Sequence, residues 1–373
     1  MMTVCEINKC CGCMACTDIC PKNAISFVDE LKASNAVIDN DKCIKCNMCH
    51  KVCQYNHPAM FLTPVYWKQG WAKDVRIRNY SSSGGAANVF SQQFVKNGGV
   101  VCSCMFKNGA FVFDFAETVE QVQKFSGSKY IKSNPSGAYK KAKEILSSGK
   151  KLLFIGLPCQ VSAMKNYTGN HESLYTIDLI CHGTPSPEIL NTYLKQSDKD
   201  INLFKNLYFR KNTHFQLTDR EDDSFHAVFE DYITDAYLIS FLNCLCYTEN
   251  CYYCQYAKLE RVSDITLGDS WGSELDQNEQ KKGISLILCQ TQKGVELVTK
   301  SDMVLHDVDL NTAVTHNHQL VAPSQKPVER DHFFELLNKG IKFEDIIKKI
   351  FPKQYLRQKI KRSLIKLHIL RYK

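Results

Sequence analysis

With 373 residues and an apolar fraction of 44%, the chain has room for two or three domains and is not disordered. It has no apolar run near the roughly 18 residues of a membrane helix, and its start lacks the apolar stretch of a secretory signal. The net charge of +8 is concentrated in residues 342–373, where 11 basic and 2 acidic residues give +9 and leave the remaining chain at −1. A neutral body argues against a general nucleic-acid-binding surface.

Nineteen cysteines in a chain without an export signal indicate a reducing compartment and bound metal. We therefore expect a cytoplasmic protein, or one that is peripheral at the inner face of the membrane if its basic end binds there.

Residues 1–57 contain the strongest motif, a C-x2-C-x2-C-x3-C run that occurs twice. Three thiolates from one tight loop can hold three corners of a 4Fe–4S cube, and in two-cluster ferredoxins the fourth cysteine binds the other cluster. One cluster is therefore assigned to Cys10, Cys13, Cys16 and Cys53, and the other to Cys43, Cys46, Cys49 and Cys20. Two alternatives fit these motifs poorly. Structural zinc sites prefer two separated C-x2-C pairs, and a disulfide framework needs an oxidising compartment.

The two repeats differ after the fourth cysteine, where the first has Pro21 and the second Gln54. Proline stiffens a turn and lacks an N–H, so we expect Gln54 to loosen its loop without removing a ligand. Cys5 and Cys11 remain unassigned, and Cys11 is interpreted as a bystander inside the first loop.

Between the cysteine loops, residues 24–28 and 36–38 are predicted to form short strands that cover the clusters. Residues 58–80 are interpreted as a linker in which Trp67 and Trp71 pack against other parts of the chain.

Two stretches have the chemistry to bind phosphate. Ser81–Gly85 precedes a predicted helix that ends at Gly98-Gly99, and hydroxyls and glycines at a helix start suit a phosphate or pyrophosphate. Residues 127–133 combine glycine, hydroxyls and two lysines. The candidate cofactor-binding residues are Ser82, Ser83, Gly84, Gly85, Ser128 and Lys129. The alternatives are an ordinary helix cap for Ser82 or Ser83 and a solvated loop for 127–133.

The next segment alternates helices and strands. Strands are predicted at 100–106, 111–115, 152–155 and 175–180, with a helix near 136–148. Cys159 and Cys181 follow the last two strands, and ligands gather at the carboxyl ends of strands in an α/β sheet. Further strands are expected at 207–209 and 225–229, followed by a helix at 236–243, a strand at 263–271 and a final β-α-β unit over 284–308.

Cys251-x2-Cys254 is half of a metal site and, alone, is consistent with zinc, redox chemistry or no function. Together with Cys159 and Cys181 it would complete a third 4Fe–4S site. Cys244 and Cys246 are competing candidates, and buried core cysteine is the alternative for them all.

The chain ends in a basic tail, residues 341–373. After Pro352, the apolar residues Leu356, Ile360, Leu364 and Leu367 recur at helical spacing between lysines and arginines. Such a helix can lie on an anionic membrane or dock on a partner, and a helix packed on the body is the equal alternative.

In combination, these motifs resemble the coenzyme F420 hydrogenase/dehydrogenase beta-subunit family, here with a fused two-cluster ferredoxin module. The resemblance extends from residue 1 to about 290. The motifs that carry it are SSSGG (81–85), GSKYIKS (127–133), LPCQ (157–160), CHGTPSP (181–187), NLYFRKN (206–212), C-x2-C (251–254) and SDITLGDSWG (263–272).

The resemblance implies an iron–sulfur flavoprotein. It implies FAD and an adjacent 4Fe–4S cluster, and so favours the third set, Cys159, Cys181, Cys251 and Cys254, and the phosphate role of the serine- and glycine-rich stretches. Relatives act on the deazaflavin coenzyme F420, formate, chlorophyll derivatives or partners in glutamate synthesis. Fused forms also occur beside genes for surface polysaccharides. No stretch of this sequence indicates a deazaflavin pocket.

The predicted fold is α+β/α/β: a bacterial ferredoxin-like module (1–57), a linker (58–80), a larger mixed α/β flavin-binding domain (81–340) and the tail. The predicted function is an oxidoreductase that exchanges electrons with a redox partner protein or soluble ferredoxin. His182 and Asp269 are the candidate catalytic proton partners near the flavin, with structural hydrogen bonding as the alternative. The rival functions are an electron-transfer subunit without its own substrate and a zinc-rich nucleic-acid binder.

Overall fold

The computed structural model describes residues 2–211, 214–222 and 224–370. Met1 of the predicted ferredoxin module, Asn212 of the NLYFRKN motif and residues 371–373 of the tail lie outside the described residues.

The N-terminal module contains two short helices and a β-hairpin. In chain order these elements are α1 (Ala15–Ile19), β1 (Ile25–Asp29), β2 (Ser34–Ile38) and α2 (Met48–Val52). The two strands pair antiparallel, with Ile25 opposite Ile38, so both predicted strands are confirmed. The module shares a hydrophobic core with the large domain, because its buried cysteines pack in one cluster with Phe154 and Val161.

Eleven further strands are described. They are β3 (Tyr66–Ala72), β4 (Val100–Lys107), β5 (Ala110–Ala116), β6 (Leu152–Gly156), β7 (Leu174–Leu179), β8 (Leu207–Lys211), β9 (His214–Glu221), β10 (Ser224–Ala227), β11 (Ile265–Asp269), β12 (Ser285–Cys289) and β13 (Met303–His306). Eight of them form one sheet in the order β13-β3-β12-β11-β7-β6-β4-β5, and β8, β9 and β10 form a smaller antiparallel sheet.

The described α-helices surround these sheets. They are α3 (Val75–Asn79), α4 (Ala86–Lys96), α5 (Val119–Val122), α6 (Ala138–Ser147), α7 (Pro158–Thr168), α8 (Pro187–Gln196), α9 (Ala236–Leu242), α10 (Gln277–Lys282), α11 (Gln292–Thr299), α12 (Leu310–His316), α13 (Arg330–Asn338), α14 (Phe343–Ile350) and α15 (Pro352–Lys366).

The centre of the large sheet is parallel, and this positions the site. Strands β4, β6, β7 and β11 run side by side in one direction. All five side chains of β6 are buried, which explains its continuous apolar sequence. The carboxyl ends of these strands therefore meet at one edge of the sheet, where Cys159, Cys181 and Asp269 follow or end their strands.

Two expectations about chain organisation change. The domain boundaries stay a prediction, but residues 66–72, assigned to the linker, form β3 between β12 and β13 in the large sheet. In the β-α-β unit expected over 284–308, β12 and β13 are therefore separated by β3, with which both pair. The mixed α/β class and the elements predicted between 86 and 300 are confirmed, with ends shifted by one to three residues.

The end of the chain forms the expected helix, α15, after α14. Helices α8, α9, α13 and α14 share a second hydrophobic core with the small sheet. Within the described ranges, no helix combines the length and apolarity needed to cross a membrane.

Candidate functional site

The two cysteine loops of the N-terminal module share one backbone design. In each loop a residue in the left-handed region, Met14 or Asn47 (both φ 61°), precedes the short helix that carries the third cysteine. The Gly12 N–H donates to Cys10 Sγ at 3.4 Å, and the equivalent amide of the second loop donates to Cys43 Sγ at 3.4 Å. Hydrogen bonds to sulfur stabilise and tune iron–sulfur clusters, so both loops have suitable chemistry to hold one.

The fourth cysteine of each repeat lies beside the other loop. Burial is the main cause that raises the pKa of Cys16, and the nearby Cys53 contributes. Burial also raises the pKa of Cys49, and Cys20 contributes there. The structure thus places Cys53 near the first loop and Cys20 near the second, and the two crossed groups stay a prediction.

The four thiols that hold a 4Fe–4S cube lie farther apart than the ligands of a single metal ion. In the described part of the chain, no three or more His, Cys, Asp or Glu side chains converge as one metal ion would require. The donor chemistry fits two 4Fe–4S clusters, and the ligand assignment stays a prediction.

A third group of cysteines lines one cavity between the module and the large domain. The cavity is lined by Cys159, Cys181, Cys251 and Cys254, the four residues proposed for a third cluster, and also by Cys11. Cys159 is the second residue of α7, directly after β6, and Cys181 follows β7 by two residues. Cys251 lies on a short turn, and its sulfur accepts the Thr184 N–H at 3.4 Å.

The thiols of this cavity are partly buried beside a fixed positive charge. Burial, followed by Cys251, raises the pKa of Cys254 to about 11, while Arg261 acts in the opposite direction. The Arg261 guanidinium is paired with the fully buried Asp178 at 3.0 Å and also donates to the Leu179 carbonyl. A guanidinium here would offset the negative charge of a thiolate-bound cluster, so the donors fit such a group.

The competing cysteines lie elsewhere. Cys246 is fully buried in the second core, where its sulfur accepts the Ser240 hydroxyl at 3.2 Å. Cys244 packs against the same core. Both positions agree with the alternative of structural cysteine.

The two phosphate-binding candidates meet at the start of α4. The Ser128 N–H donates to Ser82 Oγ at 2.7 Å, so the two stretches are joined. Gly85 precedes α4 with φ 89°, and no side chain caps the helix there. Free amides and the positive end of the helix dipole suit a pyrophosphate, so Ser82, Ser128 and Gly85 fit the phosphate end of FAD.

The other candidates of this set have structural partners. Ser83 Oγ donates to the Ile284 carbonyl at 2.9 Å. A Cβ on Gly84 would lie 2.2 Å from the Gly70 carbonyl, so this glycine allows the segment to pack on β3. Lys129 Nζ donates to the carbonyls of Phe125 and Ser126 at 2.6 and 2.8 Å, and burial lowers its pKa to about 8. The structure therefore directs these residues away from a phosphate, and their role stays a prediction.

The two candidate proton partners lie at the edge of the sheet where the parallel strands β7 and β11 end. Asp269, at the end of β11, forms a two-pronged ion pair with Arg210 at 2.6 and 3.0 Å. Arg210 also contacts the Tyr130 hydroxyl, which lies near Ser128. His182 lines the cysteine cavity, and burial lowers its pKa although the nearby Asp269 opposes this.

Sequence reasoning missed four residues of this region. They are Cys11, Gln54, Lys132 and Arg261, of which Cys11 was interpreted as a bystander. Gln54 is 3% exposed and fixed by hydrogen bonds, so the expectation that it loosens its loop is wrong. Only Gln54 gave a signal in the sequence, because it stands where the first repeat has proline. The other three residues are brought here by contacts with residues far away in the sequence.

Comparisons with known proteins agree with both parts of the chain. Residues 149–308 match the family described as the C terminus of the beta subunit in coenzyme F420 hydrogenase/dehydrogenase. Residues 9–57 match the 4Fe-4S dicluster domain. No curated protein matches the chain. A solved structure of the F420-reducing [NiFe] hydrogenase complex from Methanosarcina barkeri is similar at 19% identity, over 77% of this chain and 91% of that chain, with a TM-score of 0.48. The chain thus combines a segment that matches the 4Fe-4S dicluster domain with a segment that matches the C terminus of the coenzyme F420 hydrogenase/dehydrogenase beta subunit.

Proposed function

We propose that this protein is an iron–sulfur flavoprotein oxidoreductase that passes electrons between ferredoxin-type 4Fe–4S clusters and FAD. One observation carries the proposal: the cysteine cavity, the Arg210–Asp269 pair and the uncapped start of α4 all lie at the edge of the large sheet where its parallel strands end. The two cysteine loops suit single-electron carriers, and the helix start suits a nucleotide phosphate.

Bound FAD would supply the exchange between single-electron and hydride chemistry. The chain's own residues would position it and manage protons. The amides at Gly85 and the Ser82 and Ser128 pair would hold the phosphates. His182 lines the cysteine cavity, where a neutral imidazole would offer one donor and one acceptor. Arg210 holds the Asp269 carboxylate in place through the two-pronged ion pair.

The substrate would be oxidised or reduced on the exposed side of this region. Trp271, 40% exposed, lies over the Arg210 guanidinium at 5.5 Å and offers an aromatic face to a planar molecule. The family resemblance connects such proteins with coenzyme F420 and with genes for surface polysaccharides, and a substrate of either kind would bind against this aromatic face.

The test is anaerobic purification with iron, sulfide and flavin analysis. We expect roughly twelve irons and one FAD per chain, since three cubes hold four irons each. Roughly eight irons and no flavin would exclude both the third cluster and the flavin.

A paired variant locates the third cluster. Cys181→Ala should reduce the iron content to roughly eight per chain and leave the two N-terminal clusters visible by EPR. The matched control is Cys246→Ala, which removes another buried cysteine but should retain all the iron. If Cys181→Ala also retained it, the third site would be rejected.

A second function is favoured by the surface of the second cysteine loop. Cys46 is exposed there, and Ile44 and Met48 beside it are 56% and 41% exposed. An apolar surface around a cluster site suits transient docking of a redox protein. The chain would then be an electron-transfer subunit without its own substrate. Clusters that are reduced by ferredoxin, with no turnover of any hydride donor by the isolated protein, would favour this alternative.

A further inference from the structure

We propose that Gln54 and Cys11 form the contact through which electrons pass between the first cluster site and the third. This inference depends on the proposed function, because it requires a cluster in the cysteine cavity. It concerns two residues that belong to neither ligand set.

Cys11 lies next to both cysteine groups. It directly follows Cys10, assigned to the first cluster, and it lines the cavity together with Cys159, assigned to the third. The buried Lys132 holds the same residue in place, because its Nζ donates to the Cys11 carbonyl at 3.0 Å. Cys11 is therefore fixed where the first site meets the cysteine cavity.

Gln54 provides a second connection. It follows Cys53 of the first site, and its Nε2 donates to Cys11 Sγ at 3.1 Å. Its carbonyl accepts the side-chain amide of Gln255 at 2.9 Å, and Gln255 follows Cys254 of the third site. The Tyr256 hydroxyl donates to the same carbonyl at 3.0 Å. A short path of covalent bonds and one hydrogen bond thus joins Cys53 to Cys254.

The second loop lacks this arrangement. Ile44 occupies the position equivalent to Cys11, and the exposed Pro21 occupies the position equivalent to Gln54. Ile44 is 56% exposed, whereas Gln54 is 3% exposed. The two repeats thus differ from each other at the two positions that face the third site.

The transfer itself is a simple electron exchange. One electron leaves the reduced first cluster and enters the oxidised third cluster, and no bond or proton is exchanged. Gln54 acts as a positioning residue, since it holds the Cys11 thiol and the Cys254 segment against the first site.

The experiment follows electron redistribution in the intact anaerobic protein. The first cluster is reduced by a light pulse with a one-electron photoreductant, and freeze-quench EPR records the appearance of the reduced third cluster. Gln54→Met removes the side-chain donor at similar volume, and Cys11→Ala removes the thiol. Each should slow redistribution severalfold, because each removes part of the contact that joins the two sites. The matched controls, Pro21→Gln and Ile44→Ala, should leave the rate unchanged.

Iron analysis of the same samples separates the possible failures. Roughly twelve irons in every variant with unchanged redistribution would overturn this inference alone. Loss of roughly four irons in Cys11→Ala would also overturn it, because Cys11 would then be a ligand. Roughly eight irons in the unmodified protein would reject the proposed function, and this inference with it.

An independent observation concerns helix α15. Its polar side faces the body: Gln354 exchanges amide hydrogen bonds with Asn243 at 2.8 and 2.9 Å, Gln358 accepts the Thr234 N–H at 3.2 Å, and Arg362 pairs with Glu230 at 2.6 Å. The helix is therefore docked on the body through polar contacts.

Its apolar side faces solvent. Leu356, Ile360 and Leu367 lie within about 40° of one another around the helix and are 55%, 52% and 67% exposed. The same spacing places Lys353 and Arg357 along one flank of this stripe, and Lys359 and Lys366 along the other. The described part of α15 carries no acidic residue.

We propose that this face binds an anionic lipid surface. Apolar side chains between two rows of basic residues match the acyl boundary and the headgroup charge of such a membrane. The charge of the helix complements that surface, and its docked position presents the apolar stripe outward.

Vesicle sedimentation of the full chain tests this. We expect binding to phosphatidylglycerol-containing vesicles at least roughly tenfold tighter than to phosphatidylcholine vesicles. The variant Leu356→Glu/Ile360→Glu should bind the phosphatidylglycerol-containing vesicles roughly tenfold more weakly. The control Leu203→Glu/Val328→Glu, which changes two exposed apolar residues outside the stripe, should bind as the parent does. Equal binding to both vesicle types, equal binding by the stripe variant, or self-association through the stripe without vesicle binding would overturn the proposal.

Discussion

The two cysteine loops have the same spacing but opposite surroundings. In the first loop Cys10, Cys13 and Cys16 are 7–9% exposed and the adjoining Cys11 lines the cysteine cavity, whereas Cys46 of the second loop is exposed to solvent. Spacing therefore fixes how thiols can hold a cluster, and the surroundings decide what the cluster can exchange electrons with. The first loop suits internal transfer and the second suits docking of a partner.

The difference begins at single positions. Gly12 and Lys45 are equivalent, and both have positive φ, at 72° and 55°. A Cβ on Gly12 would lie 2.8 Å from the Lys132 side chain, so only glycine lets the first loop approach the large domain this closely. The second loop has no such constraint and retains a lysine.

Equivalent cysteine substitutions should show the largest contrast. Cys13→Ser and Cys46→Ser should each remove roughly four irons, because each removes one ligand. We expect Cys13→Ser also to lower the free energy of unfolding by more than about 3 kcal/mol, since the site is part of the shared core. Cys46→Ser should cost about 1 kcal/mol.

Anaerobic urea denaturation with iron analysis measures both effects. Equal destabilisation by the two variants would contradict the view that only the first loop is part of the fold. Cys102→Ala, which changes a buried cysteine outside both loops, controls for the loss of a core thiol.

Alanine at the two positive-φ positions gives a smaller contrast. Gly12→Ala should destabilise the protein by about 2 kcal/mol, because the new Cβ meets both an unfavourable backbone conformation and the Lys132 side chain. Lys45→Ala should change stability by less than about 0.5 kcal/mol, since a side chain is already present there. Thermal unfolding under argon measures the difference, and similar midpoints would show that the close approach is not needed.

Much of the fold was accessible from sequence because apolar spacing is a local signal. The continuous apolar run of residues 152–155 correctly predicted β6, and the apolar spacing between Gly85 and Gly98 correctly predicted α4. Strand β3 was missed because Tyr66–Ala72 mixes polar and aromatic residues and is fixed by pairing with strands more than 200 residues away. Periodicity within a short window cannot contain that information.

The same limit applies to the site. The cysteine motifs were visible because their spacing is itself the chemistry. The roles of Cys11 and Lys132 were hidden, since their contact joins residues 121 positions apart. Lys129 had the right composition for a phosphate ligand, but the folded chain turns its ammonium toward its own carbonyls.

That buried ammonium gives the smallest expected effect, and it contrasts with the exposed Lys45 of the second loop. Burial lowers the pKa of Lys129 to about 8 from an ordinary value of 10.5. Between these two values the unfolded chain binds more protons, so stability should rise as the pH increases above 8. We expect a gain of roughly 1 kcal/mol between pH 8 and 9 that is absent in Lys129→Met and retained in Lys45→Met. Urea titrations of the anaerobic protein at the two pH values measure it, and a flat response in the parent would show that the carbonyls of Phe125 and Ser126 keep the ammonium protonated.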